Sequence, residues 1–133
     1  DEDIAFVDIG IVKDGIEGDA GKTVTFGDEP TFKHLKQASE VIFHQMLEYW
    51  KQHQPTGIEL YHYLHQCCEE LNVIPNLDPA GHLIGPFPHI HAWKEGLNHY
   101  PKQLKPANWI LEVQIRHPEK ECGAFYENLL YIP

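Results

Sequence analysis

The stretch VDIGIVKDGIEGDAGKTVTFG, residues 7 to 27, decides the fold because it predicts a β-hairpin with an acidic residue on each strand. Residues 4 to 12 are mostly apolar and β-branched, as is typical of a strand, and residues 17 to 26 continue as the returning strand. Between them, Asp14 and Gly15 form a dipeptide that favours a two-residue hairpin turn. We therefore expect a tight hairpin to open the chain.

The assumed turn determines which residues of the hairpin face each other. With Asp14 and Gly15 as the loop, Gly10 faces Asp19, and Asp8 becomes a diagonal neighbour of Asp19 with Cβ atoms about 7 Å apart or less. Two carboxylates that close are costly unless something neutralises them. A pair of divalent cations, typically about 3.5–4 Å apart, would do so.

A second hairpin at the end of the chain predicts a similar pair of acids. Residues 109 to 116 and 124 to 132 are predicted strands, and pairing Arg116 with Gly123 places Glu112 directly opposite Glu127. Both registers are assumptions, because a slip of one residue turns a side chain to the other face of the sheet. The sequence thus predicts paired acids in two separate hairpins.

Two helices are predicted between the hairpins. Apolar residues from residue 31 to about residue 53 recur every three or four positions, and Pro55 ends this helix. Thr56-Gly57-Ile58-Glu59 has the form of a capping box that begins a second helix. Residues 72 to 106 are rich in Pro, Gly and His, which favours loops and short strands. We expect one domain, residues 1–133.

Composition narrows the range of functions. The formal net charge of −10 and the lack of a basic stripe argue against nucleic acid as a partner. Apolar runs stay well under the ~18 residues that span a bilayer, so no membrane association is expected. Three cysteines without CxxC spacing favour a reducing, cytoplasmic setting over a disulfide framework.

The acidic hairpins belong to a series of motifs that resembles a known family. VDIGIVKDGIEGDAGKTVTFG is followed by AGHLIGPFPHIHAW, WILEVQI and FYENLLYI. This series is similar to the ligand motifs of the pita-bread metallopeptidases, a family that includes methionine aminopeptidase, Xaa-Pro aminopeptidase, prolidase and creatinase. The resemblance spans nearly the whole chain. It implies an α+β fold with a curved, mostly antiparallel sheet backed by helices and a site on the concave side.

The resemblance also implies a dinuclear metal site. The five ligands would be Asp8, Asp19, His82, Glu112 and Glu127. Asp19 and Glu127 would bridge two divalent ions, Asp8 would hold the second ion, and His82 with Glu112 would complete the first. Oxygen-rich ligation with one imidazole suits Mn, Co, Fe or Zn without choosing among them.

The implied chemistry is hydrolysis of an N-terminal peptide bond by a metal-activated water, with a peptide as the substrate. Glu112 would move the proton of that water. His89, seven positions after His82, would hydrogen-bond the scissile carbonyl. His91 is a further substrate-binding candidate.

Within this family, the expected activity is that of an Xaa-Pro aminopeptidase or dipeptidase, with methionine aminopeptidase activity as the alternative. Asp8-Ile9-Gly10 favours the Xaa-Pro enzymes, whereas Phe125-Tyr126-Glu127 is closer to methionine aminopeptidase. The family usually has a Glu directly after its second His, where this chain has Ile90, and usually has a longer segment ahead of the first Asp. A non-catalytic peptide- or protein-binding module is therefore a second candidate. A creatinase-like hydrolase without metals is a third, disfavoured by the five retained ligands. A monomer and a homodimer both stay open.

Overall fold

The computed structural model describes residues 1–78, 80–86, 93, 95–105 and 109–131. Its elements follow in the order β1 (Asp3–Lys13), β2 (Ile16–Phe26), α1 (Pro30–His53), α2 (Gly57–Glu70), β3 (Ile74–Asn76), β4 (Ile110–Arg116) and β5 (Gly123–Leu129). A short 3-10 helix, Leu97–His99, lies between β3 and β4. The five strands form one sheet in the order β1-β2-β5-β4-β3, and every pairing in it is antiparallel.

The first hairpin has the predicted turn. Asp14 and Gly15 have φ angles of 52° and 78°, so both loop residues adopt the left-handed conformation that a type I′ turn requires. Lys13 pairs with Ile16 across the turn, and the ladder runs unbroken to the pair Asp3 and Phe26. β1 forms the edge of the sheet, and its side chains stay largely exposed, with Phe6 at 67% and Ile9 at 56%.

Both predicted helices are present with boundaries close to those expected. α1 ends at His53, before Gln54, which adopts a left-handed conformation and donates its N–H to the Trp50 carbonyl. α2 begins with the predicted capping box, in which Thr56 and Glu59 exchange side chain–backbone hydrogen bonds. Local sequence signals therefore define where α1 ends and where α2 begins.

The helices cover one face of the sheet. Side chains alternate between faces along a strand, so Leu111, Val113 and Ile115 of β4 share the face that packs into the buried core with the helices. The apolar stripe of α1 supplies the other side of this core through residues such as Ile42 and Met46. The opposite face of β4 carries Glu112 and Gln114.

The predicted end of the last strand needs adjustment. β5 ends at Leu129, although the sequence favoured a strand from residue 124 to residue 132. Leu130 still donates its N–H to the Trp109 carbonyl, and its side chain is fully buried. Residues 132 and 133 lie outside the described part of the chain.

Neither helix within the described residues combines the length and hydrophobicity that crossing a bilayer requires.

Tyr61 connects the helical layer to the backbone of β4 and to the loop that carries His82. Its buried hydroxyl donates a hydrogen bond to the Glu112 carbonyl at 2.8 Å and accepts one from the Gly81 N–H at 2.9 Å. Burial raises the pKa of this phenol far above its usual value, so the hydroxyl stays protonated and can donate. One side chain of α2 thus ties β4 to the segment that carries His82.

We expect Tyr61→Phe to lower the free energy of unfolding by about 1–3 kcal/mol, because the buried Gly81 N–H loses its partner. Urea denaturation measures this loss. Tyr131→Phe is the matched control, since its side chain is 53% exposed. Equal stability of Tyr61→Phe and the unmodified chain would contradict the connecting role.

Candidate metal centre

Two hairpins bring four carboxylates to one face of the sheet. Gly10 pairs with Asp19 in the first hairpin, and Glu112 pairs directly with Glu127 in the second, so both predicted registers are confirmed. Glu127 also lies opposite Gly21 of β2, where the two hairpins join. Because Asp8 pairs with Gly21, it belongs to the same row across the sheet. The join between β2 and β5 therefore unites the two acid pairs.

Gly21 allows this close approach. A Cβ atom at position 21 would lie 2.2 Å from Cε1 of Phe125 and 3.0 Å from Oε1 of Glu127. Such distances are incompatible with a side chain unless the neighbours move. The glycine thus lets the Phe125 ring and the Glu127 carboxylate lie over β2.

His82 reaches the carboxylates from the loop before β4. Its N–H donates to the Ile110 carbonyl at 3.1 Å, and the Ile110 N–H donates to the His82 carbonyl at 2.8 Å. This exchange fixes the loop beside the start of β4. Nε2 of the imidazole lies 3.3 Å from Oδ2 of Asp19.

Three of the five predicted ligands converge tightly. Asp19, His82 and Glu127 each offer a ligand atom, and these atoms all lie within 4.8 Å of one another. Oδ1 of Asp19 and Oε1 of Glu127 are buried without a hydrogen-bond partner among the described residues. Buried carboxylate oxygens are costly to leave unpaired, and a cation would satisfy both. The donor set of two carboxylates and one imidazole therefore fits a divalent metal ion.

Asp8 and Glu112 lie beside this triad. A hydrogen bond joins the side chains of Asp8 and Glu127, and the charges of Asp8 and Asp19 act on Glu112. Asp8 is exposed, whereas Glu112 is only 6% exposed. The structure thus brings all five predicted ligands into one neighbourhood, and their assignment as ligands stays a prediction.

The two glutamates are difficult to ionise in the absence of a cation. Burial is the main cause that raises the pKa of Glu127 to about 9, and the hydrogen bond that its protonated form donates to Asp8, together with the charges of the neighbouring acids, adds to it. Burial likewise raises the pKa of Glu112. A cation bound beside these two carboxylates would favour their ionised forms.

A chain of amides holds Glu112. Nε2 of Gln114 donates to Oε1 of Glu112 at 2.7 Å, and Oε1 of Gln114 accepts from Nδ2 of Asn76 at 2.9 Å. Asn76 and Gln114 are partners in the ladder between β3 and β4. Neither these supporting residues nor the hydrogen bonds of Tyr61 were predicted from the sequence. The available signal for Gln114 was its position two residues after Glu112, on the same face of β4.

The remaining two candidates cannot be placed. His89 and His91 both lie outside the described residues, so the predicted substrate-binding role of each stays a prediction.

The fold and this cluster of acids define an α+β domain of the pita-bread type, with a candidate metal centre on the face of the sheet opposite the helices. No family model and no curated protein matches the chain.

Solved structures that share the fold include methionine aminopeptidases. The enzyme from Thermotoga maritima superposes with a TM-score of 0.73 and 19% identity over 93% of this chain and 57% of that chain. The enzyme from Rickettsia prowazekii superposes with a TM-score of 0.69 and 19% identity, over 95% of this chain and 54% of that chain. The chain therefore spans little more than half the length of these structures, and at this identity the likeness shows the fold alone.

The raised pKa of Glu127 predicts how stability depends on pH. The folded chain keeps this proton up to about pH 9, whereas the unfolded chain releases it near 4.5. The folded state binds more protons between these values, so stability in the metal-free form falls as pH rises through this window. We expect Tm to decrease from pH 5 to pH 9 in EDTA, and Glu127→Gln to remove much of that slope.

Glu121→Gln, at an exposed position, is the control and should keep the slope. A Tm that rises over the same window in the unmodified chain would show that Glu127 is not held protonated.

Removal of the amide chain tests the support of Glu112. Gln114→Leu keeps the approximate volume but removes the donor to Oε1, so the carboxylate loses its fixed orientation. We expect Mn²⁺ affinity to fall about 10–100-fold, the range typical for groups that orient metal ligands. Isothermal titration calorimetry measures this change. Gln114→Glu, which removes the amide donor and adds a like charge, should bind no better than Gln114→Leu.

Proposed function

We propose that this chain is a metal-dependent hydrolase that acts on N-terminal peptide bonds. The observation that carries this proposal is the convergence of Asp19, His82 and Glu127 within 4.8 Å, with two buried carboxylate oxygens that have no hydrogen-bond partner among the described residues. The fold shared with methionine aminopeptidases supports the same conclusion.

Each ligand would have a defined task. Asp19 and Glu127 would bridge two divalent ions, His82 and Glu112 would hold one of them, and Asp8 the other. Two such cations lower the pKa of a water between them toward neutrality and polarise a carbonyl. Their positive charge would also favour the ionised forms of Glu127 and Glu112, whose pKa values burial raises. We thus propose that the chain binds two divalent ions, each of them Mn, Co, Fe or Zn.

Glu112 is suited to move the proton of the attacking water. Gln114 donates to Oε1 of Glu112 and leaves Oε2 as the atom that would accept the proton. Burial raises the pKa of Glu112 above its usual value, which makes its carboxylate a better proton acceptor. The proton would then pass to the amine that leaves as the peptide bond breaks.

Two versions of this function differ in the residues that the enzyme prefers at the N-terminus of its peptide substrate. Asp8-Ile9-Gly10 supports the Xaa-Pro version, whereas the solved structures that share the fold and Phe125-Tyr126-Glu127 support methionine aminopeptidase activity. The structural comparison makes the methionine version at least as well supported. We place either activity in the cytoplasm, since Cys67, Cys68 and Cys122, all described, are free thiols.

The experiment is to purify the chain, load it with Mn²⁺ or Co²⁺, and measure metal content by mass spectrometry and cleavage of Xaa-Pro and Met-Xaa peptides. We expect bound metal and release of the first residue. Asp19→Ala should abolish metal binding at both positions and hydrolysis with it, because this carboxylate would contact both ions.

Asp28→Ala is the matched control, since Asp28 is exposed and pairs with Lys33 at the start of α1. It should keep metal and activity. Bound metal without cleavage of any peptide would favour the binding module over the hydrolase. A chain that takes up no metal under any loading condition would refute the proposed function.

A further inference from the structure

A cavity of about 440 Å³ lies beside the start of β4. Its described lining residues include Leu83, Trp93, Tyr100, Lys102, Lys105 and Trp109, and we call it the lysine cavity. Trp109 directly precedes β4 and shares the face of Leu111, which packs against the helices, whereas Glu112 lies on the opposite face. The lysine cavity is therefore separate from the candidate metal centre.

Aromatic rings form one wall of the lysine cavity. The Tyr100 ring contacts both indoles, with its centroid 5.2 Å from that of Trp93 and 4.6 Å from that of Trp109. Nε1 of Trp93 donates to the Gly96 carbonyl at 3.3 Å, and Trp109 pairs with Leu83 through an isolated β-bridge. The wall thus offers aromatic faces and edges against which a planar ring can pack.

The segment that carries the two lysines is anchored to both helices. The Tyr100 carbonyl accepts from the Ile58 N–H at 3.3 Å, in the first turn of α2. The Leu104 N–H donates to the Pro55 carbonyl at 3.3 Å, and the Leu104 carbonyl accepts from Nε1 of Trp50 at 3.1 Å. Because these bonds fix the backbone around the lysines, little backbone entropy is lost when a ligand binds.

The charge at the lysine cavity differs from that of the rest of the chain. The sequence has 10 basic and 20 acidic residues, yet none of the described lining residues is acidic. Lys102 and Lys105 are exposed and form no ion pair with a described residue, whereas Lys33, Lys36 and Lys51 each pair with a nearby acid. Two unpaired ammonium groups beside an aromatic wall favour an anion at this position.

An aromatic ring joined to an anionic group would use both features of the lysine cavity. Its ring would pack against the aromatic wall, and its carboxylate or phosphate oxygens would accept hydrogen bonds from the ammonium groups. The volume of the cavity lies within the range of about 300–1,000 Å³ that is typical of sites for small ligands. A neutral ring would leave the lysines unpaired, and an inorganic anion would leave the wall uncovered.

We propose that the lysine cavity binds a small aromatic anion. The ring of this ligand packs against Trp93, Tyr100 and Trp109, and its carboxylate or phosphate pairs with Lys102 and Lys105. The site goes beyond the proposed hydrolase, since it requires neither a bound metal nor peptide cleavage.

Calorimetry of the full chain in EDTA tests the ligand class, because no anion can then bind through a metal ion. The two aromatic anions are 3-phenylpropionate and phenyl phosphate. The comparison compounds are 3-phenylpropanamide, which lacks the charge, and propionate and inorganic phosphate, which lack the ring. We expect an aromatic anion to bind with a Kd of about 1 mM, as suits a ligand of about eleven heavy atoms, and each comparison compound to bind about tenfold more weakly. The tighter of the two aromatic anions identifies the preferred anionic group.

A double variant tests the two lysines. Lys102→Gln combined with Lys105→Gln keeps the length of both side chains and removes both ammonium groups. The loss of two exposed ion pairs should weaken binding of the aromatic anion about fivefold to tenfold and leave Tm almost unchanged. Lys13→Gln combined with Lys22→Gln is the matched control, since both lysines are exposed on the first hairpin and the net charge changes equally. It should bind as the unmodified chain does.

Nuclear magnetic resonance tests the position of the ring. The chain has three tryptophans, and two of them line the lysine cavity. On titration with the aromatic anion, the indole N–H signals of Trp93 and Trp109 should shift more than that of Trp50. Larger shifts at Trp50 would place the ring elsewhere and overturn the assignment.

Three further outcomes would also overturn the proposal. The first is no binding of either aromatic anion at about 10 mM, well above the expected Kd. The second is equal affinity for 3-phenylpropanamide. The third is an equal loss of affinity in the control variant, because the anion would then respond to the charge of the whole chain. Each outcome leaves the proposed hydrolase standing, since every measurement is made without metal.

Discussion

The crowding of acidic side chains on one face of the sheet is the constraint on which the rest of the site depends. β5 lies between β2 and β4, and its register places Glu127 opposite Gly21 on one side and Glu112 on the other. A single ladder therefore joins acids that come from strands about a hundred residues apart. Because like charges in partly buried positions repel, the site needs protons or cations to remain assembled.

The surrounding structure keeps these acids in place against that repulsion. Tyr61 connects α2 to the backbone at both Gly81 and Glu112, so the helical layer supports the histidine loop and β4 together. Asn76 and Gln114 extend the support along the sheet to Glu112. Such secondary contacts orient the carboxylates, and orientation is what a metal site requires of its protein.

The face of the sheet that carries the acids also carries apolar side chains. Phe125 lies on the same face as Glu127 because the two residues are separated by two positions on β5, and its ring lines a cavity of about 830 Å³ next to the acids. One backbone register consequently sets the positions of both the Phe125 ring and the Glu127 carboxylate.

Local sequence was sufficient for the turn of the first hairpin and for the start of α2, although it extended β5 beyond its end at Leu129. The Asp14-Gly15 turn determines the register of the first hairpin, because two left-handed residues leave one pairing, and the capping box at Thr56 determines where α2 begins. The short loop between β4 and β5 likewise predicts that Glu112 pairs with Glu127.

Tertiary structure alone decided how these pieces meet. The contact of Gly21 with Glu127, the approach of His82 to Asp19 and the contacts of Tyr61 join residues far apart in the chain. No periodicity encodes such contacts, because they depend on the packing of the whole sheet against its helices. The same holds for the cavity next to the acids, since its walls come from four elements, β1, α1, β4 and β5, and from the loop before β5.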